Sequence, residues 1–145
     1  MGNRVKVSCL HCGKTNYYPL QHKGKKVVCG LCRQLLPEPG SVIEPSFQQI
    51  QALIQNSSLP ILIDFYSPTC APCHMMHPII ENLAQRRKGE LMVIRIDANR
   101  FPQLASSWGI QSVPTFIIVY KGNERARTTG AMSEADFALW VASLI

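Results

Sequence analysis

The six cysteines of this 145-residue chain form three Cys-x-x-Cys pairs with none left over: Cys9/Cys12, Cys29/Cys32 and Cys70/Cys73. A thiolate is both a metal ligand and a nucleophile toward disulfides, so pairs at this spacing either hold a metal or exchange electrons. The settings differ. The first two pairs lie 16 residues apart in a basic N-terminal segment, whereas the third follows an apolar run and opens a helical pattern. Two different jobs are expected.

Cys9-Leu-His-Cys12-Gly13 and Cys29-Gly-Leu-Cys32 match the C-x2-C-x15–20-C-x2-C zinc pattern. Two intervening residues let a tight knuckle aim both sulfurs at one point, and two knuckles complete the tetrahedron zinc accepts. Gly13 can take the positive φ such turns often need. A module of about 33 residues has too little core to fold alone, and metal binding supplies the missing free energy. One structural Zn2+ per chain on Cys9, Cys12, Cys29 and Cys32 is expected, with no bound organic cofactor. Iron is the rival metal, and local disulfides or loose thiols are the alternatives to a metal. His11 and His22 are not expected as ligands, because four thiolates close the site.

The third pair sits in Ile63-Asp64-Phe65-Tyr66-Ser67-Pro68-Thr69-Cys70-Ala71-Pro72-Cys73. A strand ends, the chain turns, and Cys70 falls where a helix N-cap would, so its sulfur can accept backbone N–H bonds. Those donors and the helix dipole stabilise a thiolate. Pro72 lies in the first turn, where its missing N–H costs nothing. Cys73, one turn on, is expected to be buried and to resolve a mixed disulfide. Cys70-x-x-Cys73-His74 also spells a c-type haem attachment motif; the strand before it and the absence of an exported-chain signal speak against haem. His74 and His77 are expected on the exposed side of the helix, and Met75 and Met76 as core filling.

Around these cysteines the pattern alternates between apolar runs and helical stripes. Residues 36–45, with Pro37, Pro39 and Gly40, read as a linker and first short strand between a knuckle module at 1–35 and a redox domain at 46–145. Ser46 and Gln49 read as a capping box before the stripe Phe47, Ile50, Leu53, Ile54. Strands are expected at Pro60–Tyr66, Leu91–Ile96 and Pro114–Tyr120. A Gly122-Asn123 turn leads into a further strand at Arg125–Thr129. Helices are expected from Cys70 to about Arg87 with a kink at Pro78, over Pro102–Trp108, and after a Ser133 cap, with Phe137, Trp140, Val141 and Leu144 on one face. This is an α/β order with an antiparallel hairpin at its end.

Composition narrows the function classes. No 18-residue apolar stretch calls for a membrane span, and Met1–Leu10 lacks a signal-peptide core, so a reducing cytoplasmic setting is expected. The formal net charge of +6 lies wholly in residues 1–40, which carry seven Lys/Arg against Glu38; residues 41–145 carry eight of each sign. Four zinc-bound thiolates would offset part of that excess. A solvated basic face is the simpler reading, and nucleic acid is not an expected partner.

Asp64-Phe65-Tyr66-Ser67-Pro68-Thr69-Cys70-Ala71-Pro72-Cys73, Pro78, Gly109-Ile110-Gln111-Ser112-Val113-Pro114-Thr115, Lys121-Gly122-Asn123-Glu124 and Gly130-Ala131 together resemble a thioredoxin over roughly residues 42–145. With its added knuckle pairs the chain is similar to the zinc-containing type-2 bacterial thioredoxins. The resemblance implies a thioredoxin fold, a central mixed sheet flanked by helices, preceded by a small zinc-ribbon-like module. It implies Cys70 as attacking thiol, Cys73 as resolving thiol and Asp64 as a buried acid that relays a proton to or from Cys73. It also implies Pro114 as a cis proline that exposes the Val113 backbone to a substrate peptide. Without the family, Asp64 reads as a turn or capping group and Val113-Pro114 as an ordinary strand start. Thr69, Ala71, Pro72, Val113 and Gly130 fall where substrate would be contacted. The family usually has Trp before the first Cys and Gly after it, where this chain has Thr69 and Ala71; Tyr66, also replacing a usual Trp, reads as a packing change.

The expected activity is thiol-disulfide exchange that reduces protein disulfides through a Cys-Ala-Pro-Cys dithiol, recharged by a flavin-dependent, NADPH-using thioredoxin reductase. Two alternatives stand beside it. One is a redox-gated zinc module for partner binding or holdase action; the other is a nucleic-acid-binding ribbon, against which only Tyr17 and Tyr18 supply aromatics in that segment.

Overall fold

The computed structural model describes residues 4–21 and 26–145. His22, Lys23 and Lys25 lie outside the described residues, and with them the reading of His22 as a non-ligand. The elements are β1 (Arg4–Ser8), β2 (Thr15–Pro19), β3 (Val42–Ile43), α1 (Phe47–Asn56), β4 (Ile61–Tyr66), α2 (Ala71–Arg86), β5 (Met92–Asp97), α3 (Pro102–Ser107), β6 (Thr115–Tyr120), β7 (Asn123–Thr129) and α4 (Glu134–Ala142). Five strands form one sheet in the order β3-β5-β4-β6-β7, parallel among β3, β5 and β4 and antiparallel across β4, β6 and β7.

The period-two alternation of the central strands sends successive side chains to opposite faces. Ile61, Ile63, Phe65, Ile94, Ile96, Ile117 and Val119 meet Ile50 and Leu53 of α1 and Ala105 of α3 on one face. Leu62, Val93, Phe116 and Ile118 meet Met76, Ile80 and Leu83 of α2 and Phe137 and Val141 of α4 on the other. The sheet is thus a layer between two helix pairs, the mixed α/β architecture expected. Phe116 and Phe137 pack edge to face at 4.9 Å. Ser46 and Gln49 form the reciprocal capping box, Ser133 caps α4, and α2 continues through Pro78. Among the described residues no helix is long and apolar enough to cross a membrane.

The N-terminal module holds a two-stranded antiparallel hairpin, β1 with β2, which the knuckle spacing alone did not foretell. Its apolar side does not close on itself. Val7 is 1% exposed within the cluster of Ile50, Leu53 and Met92, and Leu10, Tyr18 and Leu36 pack against the same cluster. Ser8 Oγ and Ser57 Oγ lie 2.6 Å apart at the join. Gly13, at φ 80, approaches the end of α1 so closely that a Cβ would collide with Asn56. So small a module buries its hairpin by borrowing the larger core.

Candidate active site and metal centre

Cys70 is the N-cap of α2, and its sulfur accepts the Cys73 N–H at 3.1 Å. The last residues of β4 and the Ser67–Thr69 turn bring it there. Cys70 and Cys73 are joined as a disulfide. Cys70 is part-exposed, whereas Cys73 is 1% exposed beneath the helix. The Val113 carbonyl oxygen is 3.6 Å from Cys70 Sγ, and the Val113–Pro114 peptide is cis, unlike the ordinary strand start that the bare sequence allowed. Gly130, at φ 87, donates its N–H to the Pro114 carbonyl at 3.0 Å. The structure therefore gathers Cys70, Cys73, Val113, Pro114 and Gly130 at one end of the sheet, with Thr69, Ala71 and Pro72 exposed on the turn that carries the sulfur. Thr69 is tied down where an indole was usual: Ser67 Oγ, itself bonded by Asn99 Nδ2 at 3.0 Å, lies 3.2 Å from Thr69 Oγ1.

Asp64 is neither a turn nor a cap. It sits inside β4, opposite Arg95 of β5 and Phe116 of β6, and is 1% exposed. Burial pushes its carboxyl from the ordinary 3.8 up to about 6, against the opposing pull of the Arg95 guanidinium. Arg95 Nε donates to Asp64 Oδ2 at 3.2 Å, and Asp64 Oδ1 has no partner among the described residues. The Arg95 guanidinium also stacks 3.7 Å from the Tyr66 ring centroid, and the Tyr66 hydroxyl bonds Glu44. Tyr66 is thus part of a polar chain and not merely a packing substitute. Burial, then Glu44, pushes its phenol up to about 12. Arg95 escaped the sequence reading, although a charge within an apolar run is a signal that a buried partner exists.

Of two expectations for this helix, one is met in part and one needs correction. His77 stands at the border of the solvent face: its side chain is 39% exposed, its Nε2 is 3.4 Å from Glu81 Oε1, and its buried Nδ1 has no partner among the described residues. The helix phase explains this, because His77 follows Cys73 by four residues and lies at the edge of the inward face. His74 is exposed as expected, its Nε2 2.7 Å from the Pro68 carbonyl oxygen. Met76 is core, but Met75 is 67% exposed.

At the far module the two knuckles converge. Cys9, Cys12, Cys29 and Cys32 are free thiols whose sulfurs all lie within 4.8 Å of one another. Cys9–Cys32 and Cys12–Cys29 sulfur separations are 3.6 and 3.7 Å. A tetrahedral site with Zn–S of about 2.3 Å has edges of about 3.8 Å, so the four residues fit such an ion. The His11 and Leu31 N–H groups donate to Cys9 and Cys29 sulfurs at 3.4 Å each, and Asn16 Nδ2 lies 3.5 Å from Cys29 Sγ. Burial pushes the Cys9 thiol up to about 12. At Cys29 burial is outweighed by the amide donors, which bring the thiol down to about 6. The cluster can coordinate a metal ion.

Comparison with known proteins agrees with this geometry. The profile of the family described as Thioredoxin matches residues 41–143. Thioredoxin C-3 of Corynebacterium nephridii is 34% identical over 137 residues, 93% of this chain and 92% of that protein, so the likeness takes in most of the cysteine-rich module as well. Thioredoxin 1 of a Nostoc strain is 36% identical over 85 residues, 59% of this chain and 79% of that protein. Among solved structures, chloroplastic thioredoxin z superimposes with a TM-score of 0.66 at 27% identity, over 72% of this chain and 94% of that one.

Proposed function

The chain belongs to the thioredoxin family and is a thiol-disulfide oxidoreductase, and on that premise we propose that it reduces disulfide bonds of other proteins through the Cys70-Ala71-Pro72-Cys73 dithiol. The observation that carries the reading is the Cys70–Cys73 disulfide at the head of α2, with Cys70 outermost and beside the Val113 backbone. In the reduced protein the helix N-terminus stabilises the Cys70 thiolate. That thiolate attacks one sulfur of the substrate disulfide and expels the other as a thiolate, leaving a mixed disulfide. Asp64 takes the proton of Cys73, and the Cys73 thiolate attacks Cys70 sulfur. The second substrate thiolate leaves, and the Cys70–Cys73 bond holds the oxidising equivalent. Val113 and Gly130 offer backbone groups for an extended substrate segment, and Thr69, Ala71 and Pro72 form the rim it meets. Pro114 holds Val113 at that edge.

The rest of the reading follows the same family. The partners are disulfide-containing proteins and a flavin-dependent thioredoxin reductase drawing on NADPH, not nucleic acid or membrane. The four-cysteine cluster would hold one structural Zn2+, which closes the module by tying Cys9 and Cys12 to Cys29 and Cys32 and supplies no redox step. On this reading the chain is of the same kind as the zinc-containing type-2 bacterial thioredoxins, and what supports it is the four-cysteine cluster ahead of the thioredoxin fold. Four unpaired thiols beside a working dithiol suit the cytoplasm, where such thiols stay reduced.

An insulin-disulfide reduction assay tests the proposal. Wild type is expected to accelerate reduction by dithiothreitol and Cys70→Ser to abolish that acceleration. A wild type no faster than dithiothreitol alone would favour the competing reading, a redox-gated zinc module serving partner binding.

A further inference from the structure

Three strands lay a row of charge across the sheet face that packs under α2. Val42 of β3 and Leu62 of β4 both stand beside Val93 of β5, and all three pack with that face's core. Two residues on, side chains return to the same face. Arg95 therefore stands between two carboxyl groups, the buried Asp64 in register with it on β4 and the exposed Glu44 just after β3. Burial disfavours charge on Asp64, so Glu44 is a standing rival for the guanidinium. Yet Arg95 Nε donates to Asp64 Oδ2 at 3.2 Å, and among the described residues no ion pair joins Arg95 to Glu44. Tyr66 accounts for that choice. Its ring centroid lies 3.7 Å from the Arg95 guanidinium, and its hydroxyl donates to Glu44 Oε1.

We propose that Tyr66 is a positioning residue for the Cys73 step: its hydroxyl occupies Glu44, and its ring holds the Arg95 guanidinium on Asp64. The inference rests on the disulfide-reductase reading above, in which Asp64 takes the Cys73 proton. A base must be ionised to accept a proton, and Arg95 is what opposes the burial of this one. Without the hydroxyl, Glu44 draws Arg95 outward into the open cleft that both border. Burial then acts on Asp64 with less opposition, and the acid stays protonated to a higher pH, where it cannot serve Cys73. The charged and titratable groups around Asp64 are Tyr66 on its own strand, Arg95 and Asp97 on β5, Glu44 after β3, and Cys73, His77 and Glu81 on α2; β6 presents Phe116, which does not titrate. Contacts join Asp64, Arg95, Tyr66 and Glu44 in unbroken series. Tyr66 acts through Arg95 and Asp64, not on a reacting atom.

Carboxyl 13C resonances of the three aspartates, Asp64, Asp97 and Asp136, test the contact in the oxidised full-length protein, where Cys70 and Cys73 do not titrate. Wild-type Asp64 should titrate at about 6. Tyr66→Phe keeps the ring and drops the hydroxyl, and its Asp64 should titrate at about 7. Glu44→Gln removes the rival and should not raise the value, and the double variant should return it to the wild-type value or below. Stopped flow of the reduced protein with limiting 5,5′-dithiobis(2-nitrobenzoate) tests the consequence. Cys70 attack releases one nitrothiobenzoate anion; Cys73 gives its proton to Asp64, closes the Cys70–Cys73 bond and releases the second. At about pH 6, Tyr66→Phe should release the first anion at the wild-type rate. The second should come about fivefold more slowly, because about one-tenth of Asp64 is ionised instead of about half, and Glu44→Gln in the same chain should restore it. An Asp64 titration unmoved in Tyr66→Phe, or a rise that Glu44→Gln leaves in place, would overturn the inference. So would a second anion released at the wild-type rate, or an equal slowing of both. If wild type releases no second anion, the reductase reading itself fails, while the carboxyl titrations still decide whether Tyr66 holds Arg95 on Asp64.

Discussion

Replacing Asp64 by Asn should make stability depend less on pH, and the size of the effect follows from burial. The carboxyl titrates near 3.8 in an unfolded chain and at about 6 in the fold, because desolvation outweighs the attraction of Arg95. Between those values the folded state binds more protons than the unfolded one, so wild-type stability falls as pH rises. The favourable contribution is complete below about pH 4 and gone above about pH 6. A rise of about two units corresponds to about 3 kcal/mol. Asn is nearly isosteric, keeps an oxygen for the Arg95 Nε–H and cannot ionise. The stability of Asp64→Asn relative to wild type should therefore climb by about 3 kcal/mol from below pH 4 to above pH 6, then level off. Urea unfolding of the oxidised proteins measures it, since Cys70 and Cys73 then do not titrate and changes in the N-terminal thiols are common to both chains. A difference that stays flat across this window, or that falls, would refute the assignment of Asp64 as a desolvated acid.

Three further outcomes are expected. Protein purified without chelators should carry one zinc per chain and Cys29→Ser none, as read by elemental mass spectrometry; equal metal content would remove the four-thiolate site. Gly13→Ala should cost at least about 2 kcal/mol in urea unfolding, because φ 80 is strained for alanine and its Cβ would strike Asn56; unchanged stability would mean that the hairpin does not sit against α1. Deleting residues 1–40 should leave a domain folded by circular dichroism and active on insulin disulfides, since the whole dithiol site lies beyond them. That domain should be less stable, with the loss of buried Val7 alone worth about 2 kcal/mol, and an unfolded or inactive fragment would show the module to be integral to the redox domain.

Much of this protein was settled by its sequence because the deciding interactions are local. A Cys-x-x-Cys knuckle, a sulfur at a helix N-cap, the Ser46/Gln49 box and the Ser133 cap each join residues within one turn, and the spacing that produces them is visible on the page. The runs Ile61–Tyr66 and Thr115–Tyr120 are mostly apolar, broken in the first only by Asp64 and opened in the second by Thr115, as strands buried on both faces tend to be. What only the tertiary structure decided are the pairings across long sequence separations. Asp64 meets Arg95 because β4 and β5 lie side by side in a register that no single strand encodes. Tyr66 reaches Glu44 only once β3 has taken its place at the edge of the sheet. His77 stands at the border between the buried and exposed sides of α2, and only the docking of that helix on the sheet decides that one of its ring nitrogens is buried while the other reaches Glu81. Val7 belongs to the main core for a reason of size. A metal-clasped hairpin is too small to bury its own apolar side, and the surface it finds, α1 with Leu59 and Met92, is assembled from distant segments of the chain.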